Sequence, residues 1–135
     1  MAMSVTDRIQ SFLASGSFAV VGASVDRSKY GNKVLRCYQQ HGKEVYPINA
    51  RASEVEGLKA YPSLAALPVK VQAISVITPP AVTEQVVREA AAAGVTHIWM
   101  QPGAESDAAI ATAESLGMSV IAGGPCLLVV MGYHE

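Results

Sequence analysis

Cysteine is scarce in this chain: Cys37 and Cys126 are the only two. Two thiols alone make no disulfide framework. An excess of charge is missing as well. Ten Lys and Arg stand against eleven Asp and Glu, a formal net charge of −1. There is no basic footprint for nucleic acid or for an anionic membrane surface. No apolar run approaches the ~20 residues a bilayer requires. The opening MAMSVTDRIQSFLAS lacks the order of a signal peptide, since Asp7 and Arg8 interrupt it before any long apolar core. His41, His97 and His134 do not pair at a metal-ligating spacing with a third donor. The expectation is a cytoplasmic protein in a reducing compartment, with neither nucleic acid nor membrane as partner and no metal.

What is present suits one compact core. Half of the 135 residues are hydrophobic and 16% are charged, which predicts a single domain over 1–135. An N-terminal helix is predicted over Val5 to Leu13 with Ser4 as its cap. Sheet and helices are expected over about 18–123, and a tail over 124–135. Between them a rhythm recurs. A helix-like segment ends at glycine, and a strand-like run follows: Gly42 precedes EVYPI, Gly94 precedes THIWMQ and Gly117 precedes SVIAG. Glycine suits the position just past a helix because the chain there turns left-handed.

Apolar residues share helix faces: Val34, Leu35 and Tyr38; Val82, Val86, Val87 and Ala90; Ala109, Ile110, Ala113 and Leu116. The strands AVV, AISVI and SVIA are short and nearly all apolar, as in parallel sheets covered on both faces. The expectation is an α/β fold, a doubly wound parallel sheet of about five main strands near 18–23, 44–48, 73–77, 97–101 and 119–122. A short edge strand is expected near Lys59–Tyr61, inside an otherwise irregular segment.

In such a sheet a ligand binds at the carboxyl ends of the strands, where strand order reverses. Strands 18–23 and 73–77 should flank that point, lined by four loops. The first is Gly22-Ala23-Ser24, followed by VDRSKY with Arg27 and Lys29 and by a helix beginning near Gly31-Asn32. Gly22 permits a sharp turn and close backbone approach, and the helix start attracts phosphate. The dinucleotide pattern G-x-G-x-x-G is not met, and no G-K-[ST] follows. The second loop, Asn49-Ala50-Arg51, lacks the acid that holds the ribose diol of NAD and carries an arginine instead. A phosphorylated ribose, as in NADP or coenzyme A, fits this better. In the third loop Thr78 is the expected cap, with Pro79 and Pro80 as a rigid apolar wall. In the fourth, Gln101 is a candidate polar contact beside the turn Pro102-Gly103.

Taken in order, VVGAS (20–24), GNKVLR (31–36), VYPIN (45–49), GLKAYPSLAALP (57–68), TPP (78–80) and WMQPGA (99–104) resemble the small stand-alone CoA-binding proteins of bacteria. Their domain is similar to the CoA-binding domain of the succinyl-CoA synthetase alpha subunit. The resemblance implies a Rossmann-like fold that binds coenzyme A or an acyl-CoA through its ADP moiety. It assigns Gly22, Ala23 and Ser24 to the phosphate-contacting loop and Asn49 to the second-strand loop. There the family continues with proline and this chain has Ala50, leaving Arg51 as the nearest cation for a CoA phosphate. It assigns Thr78, Pro79 and Pro80 to the adenine side, and Gln101, Pro102 and Gly103 to a loop near CoA. A cysteine after the last strand, Cys126, also fits. The tail CLLVVMGYHE is more apolar than the family's ending, so it is expected to cover the core or a homodimer or other protein partner.

The reading of the residues favours a binding or regulatory module without chemistry of its own. The ligase reaction of the related synthetase uses a phosphohistidine and a nucleotide-activating partner, which lie outside this kind of domain. Cys126 is the one candidate nucleophile, and Cys37 reads as packing. Two alternatives stay open: an NADP-linked or acyl-CoA-handling enzyme component using Cys126, and a fold that mediates assembly only.

Overall fold

The computed structural model describes residues 3–135. In chain order its elements are α1 (Val5–Leu13), β1 (Phe18–Val21), α2 (Tyr30–Gln40), β2 (Val45–Ile48), β3 (Glu54–Val55), β4 (Leu58–Lys59), a short 3-10 turn at Leu64–Ala66, β5 (Ala73–Val76), α3 (Pro80–Ala92), β6 (His97–Met100), α4 (Asp107–Ser115), β7 (Ser119–Ile121) and α5 (Leu127–Met131). Five strands form one sheet in the order β2-β1-β5-β6-β7. Every pairing in it is parallel, with Phe18 opposite both Val45 and Ala73. None of the helices among the described residues is long and apolar enough to cross a membrane.

Side chains alternate across a strand, and the alternation here builds two cores. Phe18, Val20, Ala73, Trp99 and Ile121 pack with Phe12 of α1, Leu35 and Tyr38 of α2, and Leu127 of α5. Ala19, Val21, Ile74, Val76, Ile98 and Met100 pack with Val86, Val87 and Ala90 of α3 and Ala109 and Ala113 of α4. The first core is aromatic. Phe12 meets Trp99 edge-on at 5.3 Å between ring centroids, and Phe18 stacks on Tyr38 at 4.8 Å. The Tyr38 hydroxyl and Ser75 Oγ lie 2.6 Å apart, both groups buried, so each satisfies the other. Burial pushes the Tyr38 phenol far above its ordinary range. It also pushes the Cys37 thiol up to about 11, in keeping with a packing role.

Ser4 caps α1 by accepting from the Asp7 amide, and Ser106 does the same for α4 at Ala109. Thr78 does not cap α3, contrary to its sequence reading. The cap position is Pro79, and Thr78 Oγ1 instead lies 2.7 Å from Thr83 Oγ1. Two residues of the expected apolar helix faces are also exposed. Val82, in the first turn of α3, fronts the crevice above the sheet rather than the sheet itself. Leu116 is the C-cap residue of α4, past the last turn that touches the core.

The segment expected to be irregular forms an antiparallel hairpin, β3 against β4. Its two turn residues, Glu56 and Gly57, have φ of 49° and 79°, the sign a tight hairpin turn needs at both positions. Tyr61 then bridges to Ile48 in parallel, extending the edge beyond β2. The tail is covered in part by its own domain. Leu127 is buried, Tyr133 lies under the Arg36 guanidinium at 5.4 Å, and Glu135 pairs with Lys33 at 2.9 Å.

The Tyr38–Ser75 bond generates a stability prediction. Tyr38→Phe strands a buried hydroxyl and should cost about 1–3 kcal/mol. In urea denaturation, the double variant Tyr38→Phe/Ser75→Ala should recover part of that loss, and an additive further loss would contradict the pairing.

Candidate functional site

β1 lies between β2 and β5, and the chain leaves it in one direction for β2 and returns on the other side as β5. The carboxyl ends of β1 and β5 therefore flank the reversal of strand order, where the sequence places it. A cleft of about 450 Å³ opens there. Gly22, Ala23, Asn49, Arg51 and Thr78 line it together. Its apolar wall is Ile48, Leu64, Val82 and Val86, and Gln85 and Glu89 of α3 stand at its rim.

The first loop is shaped by close backbone contact. Gly22 has φ 96°, and a Cβ on it would strike the carbonyl of Ile77 at the end of β5. A Cβ on Gly31 would strike the carbonyl of Gly22. Both glycines are thus required by the protein's own packing before any ligand arrives. Gly31 is buried beneath the loop rather than presented to the cleft.

Residues 24–30 arch over this contact. Ser24 Oγ accepts from the Asp26 amide at 3.1 Å. Asp26 Oδ1 accepts from the Ser28 hydroxyl and amide at 2.7 and 2.9 Å. Those bonds hold the Asp26 carboxyl below its usual range. From below, the fully buried Asn32 donates to the Ser24 carbonyl at 2.8 Å and to Glu56 Oε2 at 3.0 Å. Its own oxygen accepts from Arg36 Nε at 2.6 Å, and Arg36 also donates to the Arg27 carbonyl at 3.0 Å. Arg27 and Lys29 remain exposed on the arch, with Arg27 Nε 3.6 Å from Glu56 Oε2. Asn32, Arg36 and Glu56 were missed by the sequence reading. The Asn32–Arg36 pair has a helical signature, four residues apart. Glu56 has none, because only the hairpin brings it here.

Asn49 ties the second loop to the first. Its Nδ2 donates to the Ala23 carbonyl at 2.8 Å, and its Oδ1 accepts from the amides of Arg51 and Ala52 at 2.8 and 2.9 Å. Arg51 is exposed, and among the described residues its side chain makes no ion pair. The first turn of α3 lines the cleft through Val82, Tyr30 at the start of α2 lines a separate hollow with Ile77, Gln101, Pro102 and Cys126, and neither helix has a side-chain cap. In their first turns the Asn32 and Val82 amides donate to the Lys29 and Pro79 carbonyls at 3.1 and 2.9 Å, and Pro80 has no N–H to offer.

Thr78, Pro79, Gln101, Pro102 and Gly103 line a shallower hollow of about 250 Å³ beside the cleft. Pro80 is the exposed first residue of α3. Gln101 is 3% exposed, and its amide binds the segment that opens α5: Oε1 accepts from the Leu127 amide at 2.8 Å and Nε2 lies 3.4 Å from Cys126 Sγ. With the Trp99 indole donating to the Pro125 carbonyl at 3.0 Å, it holds the start of α5 against β6.

A family model described as a CoA binding domain matches residues 16–132. The chain belongs to that CoA-binding family. A conserved hypothetical protein of Pyrococcus furiosus is 41% identical, with a TM-score of 0.79 over 84% of this chain and 97% of its own. A hypothetical protein of Pyrococcus horikoshii superposes with a TM-score of 0.87 at 27% identity, covering 95% of this chain and 89% of its own. The alpha subunit of the ADP-forming acetate–CoA ligase II of Pyrococcus furiosus is 29% identical over 134 residues. That match takes in 91% of this chain but only 29% of the subunit. The chain therefore spans less than a third of that curated relative.

The glycine contacts make a prediction for this CoA-binding domain without any ligand. Gly31→Ala should lower the unfolding free energy by about 1–3 kcal/mol, since the neighbouring carbonyl is backbone and must shift as a unit. Gly22→Val should do at least the same. Denaturation curves that overlay on the parent would refute the contact.

Proposed function

We propose that this chain binds coenzyme A or an acyl-CoA through its ADP moiety, as a binding or regulatory module without chemistry of its own. Arg51 carries the reading most directly. It is an exposed cation at the rim of the switch-point cleft, at a strand end where an NAD site has an acid. The ligand's ribose phosphate sits at this guanidinium. The adenine lies against Val82 and Val86, on the side walled by Thr78, Pro79 and Pro80. The pyrophosphate crosses Gly22, Ala23 and Ser24 toward the uncapped start of α2, where N–H groups and the helix dipole favour an anion. Arg27 and Lys29 flank it. The loop Gln101-Pro102-Gly103 borders the remaining, pantetheine part.

Family membership supports CoA over NADP, which has a ribose phosphate of its own and otherwise fits Arg51 as well. The ligase activities belong to relatives several times longer than the span shared with this chain. A binding role needs only the crevice. The carrier or sensor then works through whatever protein receives the bound thioester.

Thermal unfolding with CoA, acetyl-CoA, dephospho-CoA, NADP and NAD tests this. A ligand at about a hundred times its dissociation constant adds ~2.7 kcal/mol, on the order of ten degrees for a domain of this size. The expected shifts are with CoA and acetyl-CoA. A shift with NADP alone would replace the reading with the dinucleotide one. Arg51→Ala should weaken CoA about tenfold, the ~1.4 kcal/mol of one solvent-facing charged contact. It should leave dephospho-CoA nearly unchanged, and equal weakening of both would remove Arg51 from the phosphate.

A further inference from the structure

We propose that the hollow between Tyr30, Ile77, Pro102 and Cys126 receives the acyl end of a short, uncharged acyl-CoA, with Gln101 donating to the thioester carbonyl. This rests on the CoA reading of the neighbouring cleft and names the class of thioester that the site selects.

Position comes first. The cleft, the shallow hollow and this third hollow of about 300 Å³ lie in a row along the strand ends. The first two share Thr78, and the last two share Ile77, Gln101 and Pro102, so the trough is continuous. Neighbouring strands are about 4.8 Å apart, so the trough runs roughly 10–15 Å from the β1–β2 end to β6. A ligand anchored by its ADP moiety at one end lays its arm toward the other.

The lining is suited to an uncharged acyl group. Tyr30, Ile77 and Pro102 are apolar walls, Cys126 adds a thiol, and no ionised side chain lines the hollow. An acyl group bearing a carboxylate would be desolvated there without a partner. The Tyr30 ring is 62% exposed at the first position of α2, so a ligand in the hollow would cover it.

Gln101 supplies the polar contact. The Leu127 amide can only donate, so the Gln101 oxygen must face it and the NH₂ must turn toward Cys126 and the hollow. A primary amide has two N–H groups. One points to Cys126 Sγ at 3.4 Å, and the other has no partner among the described residues although the side chain is almost wholly buried. A buried donor left open is costly, and a thioester carbonyl would satisfy it. Volume sets the chain length. A hollow of this size is at the small end for ligand pockets, with space for a few carbons beside the sulfur and none for a long tail.

Calorimetric titration with CoA, acetyl-CoA, butyryl-CoA, succinyl-CoA and decanoyl-CoA tests the inference. Acetyl-CoA and butyryl-CoA should bind more tightly than CoA, by about fourfold for each carbon buried. Succinyl-CoA and decanoyl-CoA should show no gain over CoA. In Tyr30→Ala, which removes one wall, the ratio of butyryl-CoA to CoA affinity should fall toward one. CoA binding with no acyl preference, or a preference unchanged in Tyr30→Ala, would overturn the acyl hollow and leave the CoA reading standing. Failure of every CoA species to bind would overturn both.

Discussion

Three stretches of backbone meet at one point, and the rest of the crevice depends on that meeting. Gly22 at the end of β1 presses on the carbonyl of Ile77 at the end of β5, and Gly31 in the first turn of α2 presses on the carbonyl of Gly22. No side chain intervenes. The contact pulls the start of α2 in above the two central strands, so that the arch at 24–30 closes over them. Space for a ligand appears beside this contact, between Asn49 and Thr78.

The arch is held from beneath by polar groups that have left water. Asn32 is fully buried and Arg36 is 8% exposed, an arrangement that costs stability unless each donor finds an acceptor. Asn32 spans Ser24, Glu56 and Arg36, and Arg36 reaches the Arg27 carbonyl and the face of Tyr133. The hairpin β3–β4 and the C-terminal strap therefore converge on the same few residues of α2. A basic arch over a parallel sheet is ordered here by neutral and charged groups drawn from three other segments, α2, the hairpin and the tail.

At the other end of the trough the logic is similar. Trp99 and Gln101, neighbours on β6 and its exit, point to the same side and bind the Pro125 carbonyl and the Leu127 amide. They hold the glycine-rich loop after β7 in place, and that loop sets Cys126 beside Pro102 and Tyr30. The apolar tail that follows is part of the core at Leu127 and a surface at Val129, which is 81% exposed.

Much of this architecture was legible in the residues. Short apolar strands, glycines after amphipathic helices and the Ser4 cap reflect local propensities and periods, and these survive folding because each is set within a few residues. The order of the four crevice loops was legible too, since a parallel sheet leaves little choice about where strand ends gather. The exceptions share a cause. The sequence reads Thr78 as a cap, and it pairs with Thr83; it reads Gln101 as a crevice contact, and the oxygen and one N–H of its amide also hold the α5 segment; Glu56 carries no local signal and belongs to the arch. Each of these roles depends on a partner that chain neighbours do not specify. The sequence by itself determined the layers, the strand ends that form the crevice and the cation at its rim, because periodicity and turn chemistry are local. Only the tertiary structure decided which polar side chains hold the loops and which are left to face a ligand, because hydrogen-bond partners distant in sequence are chosen by packing.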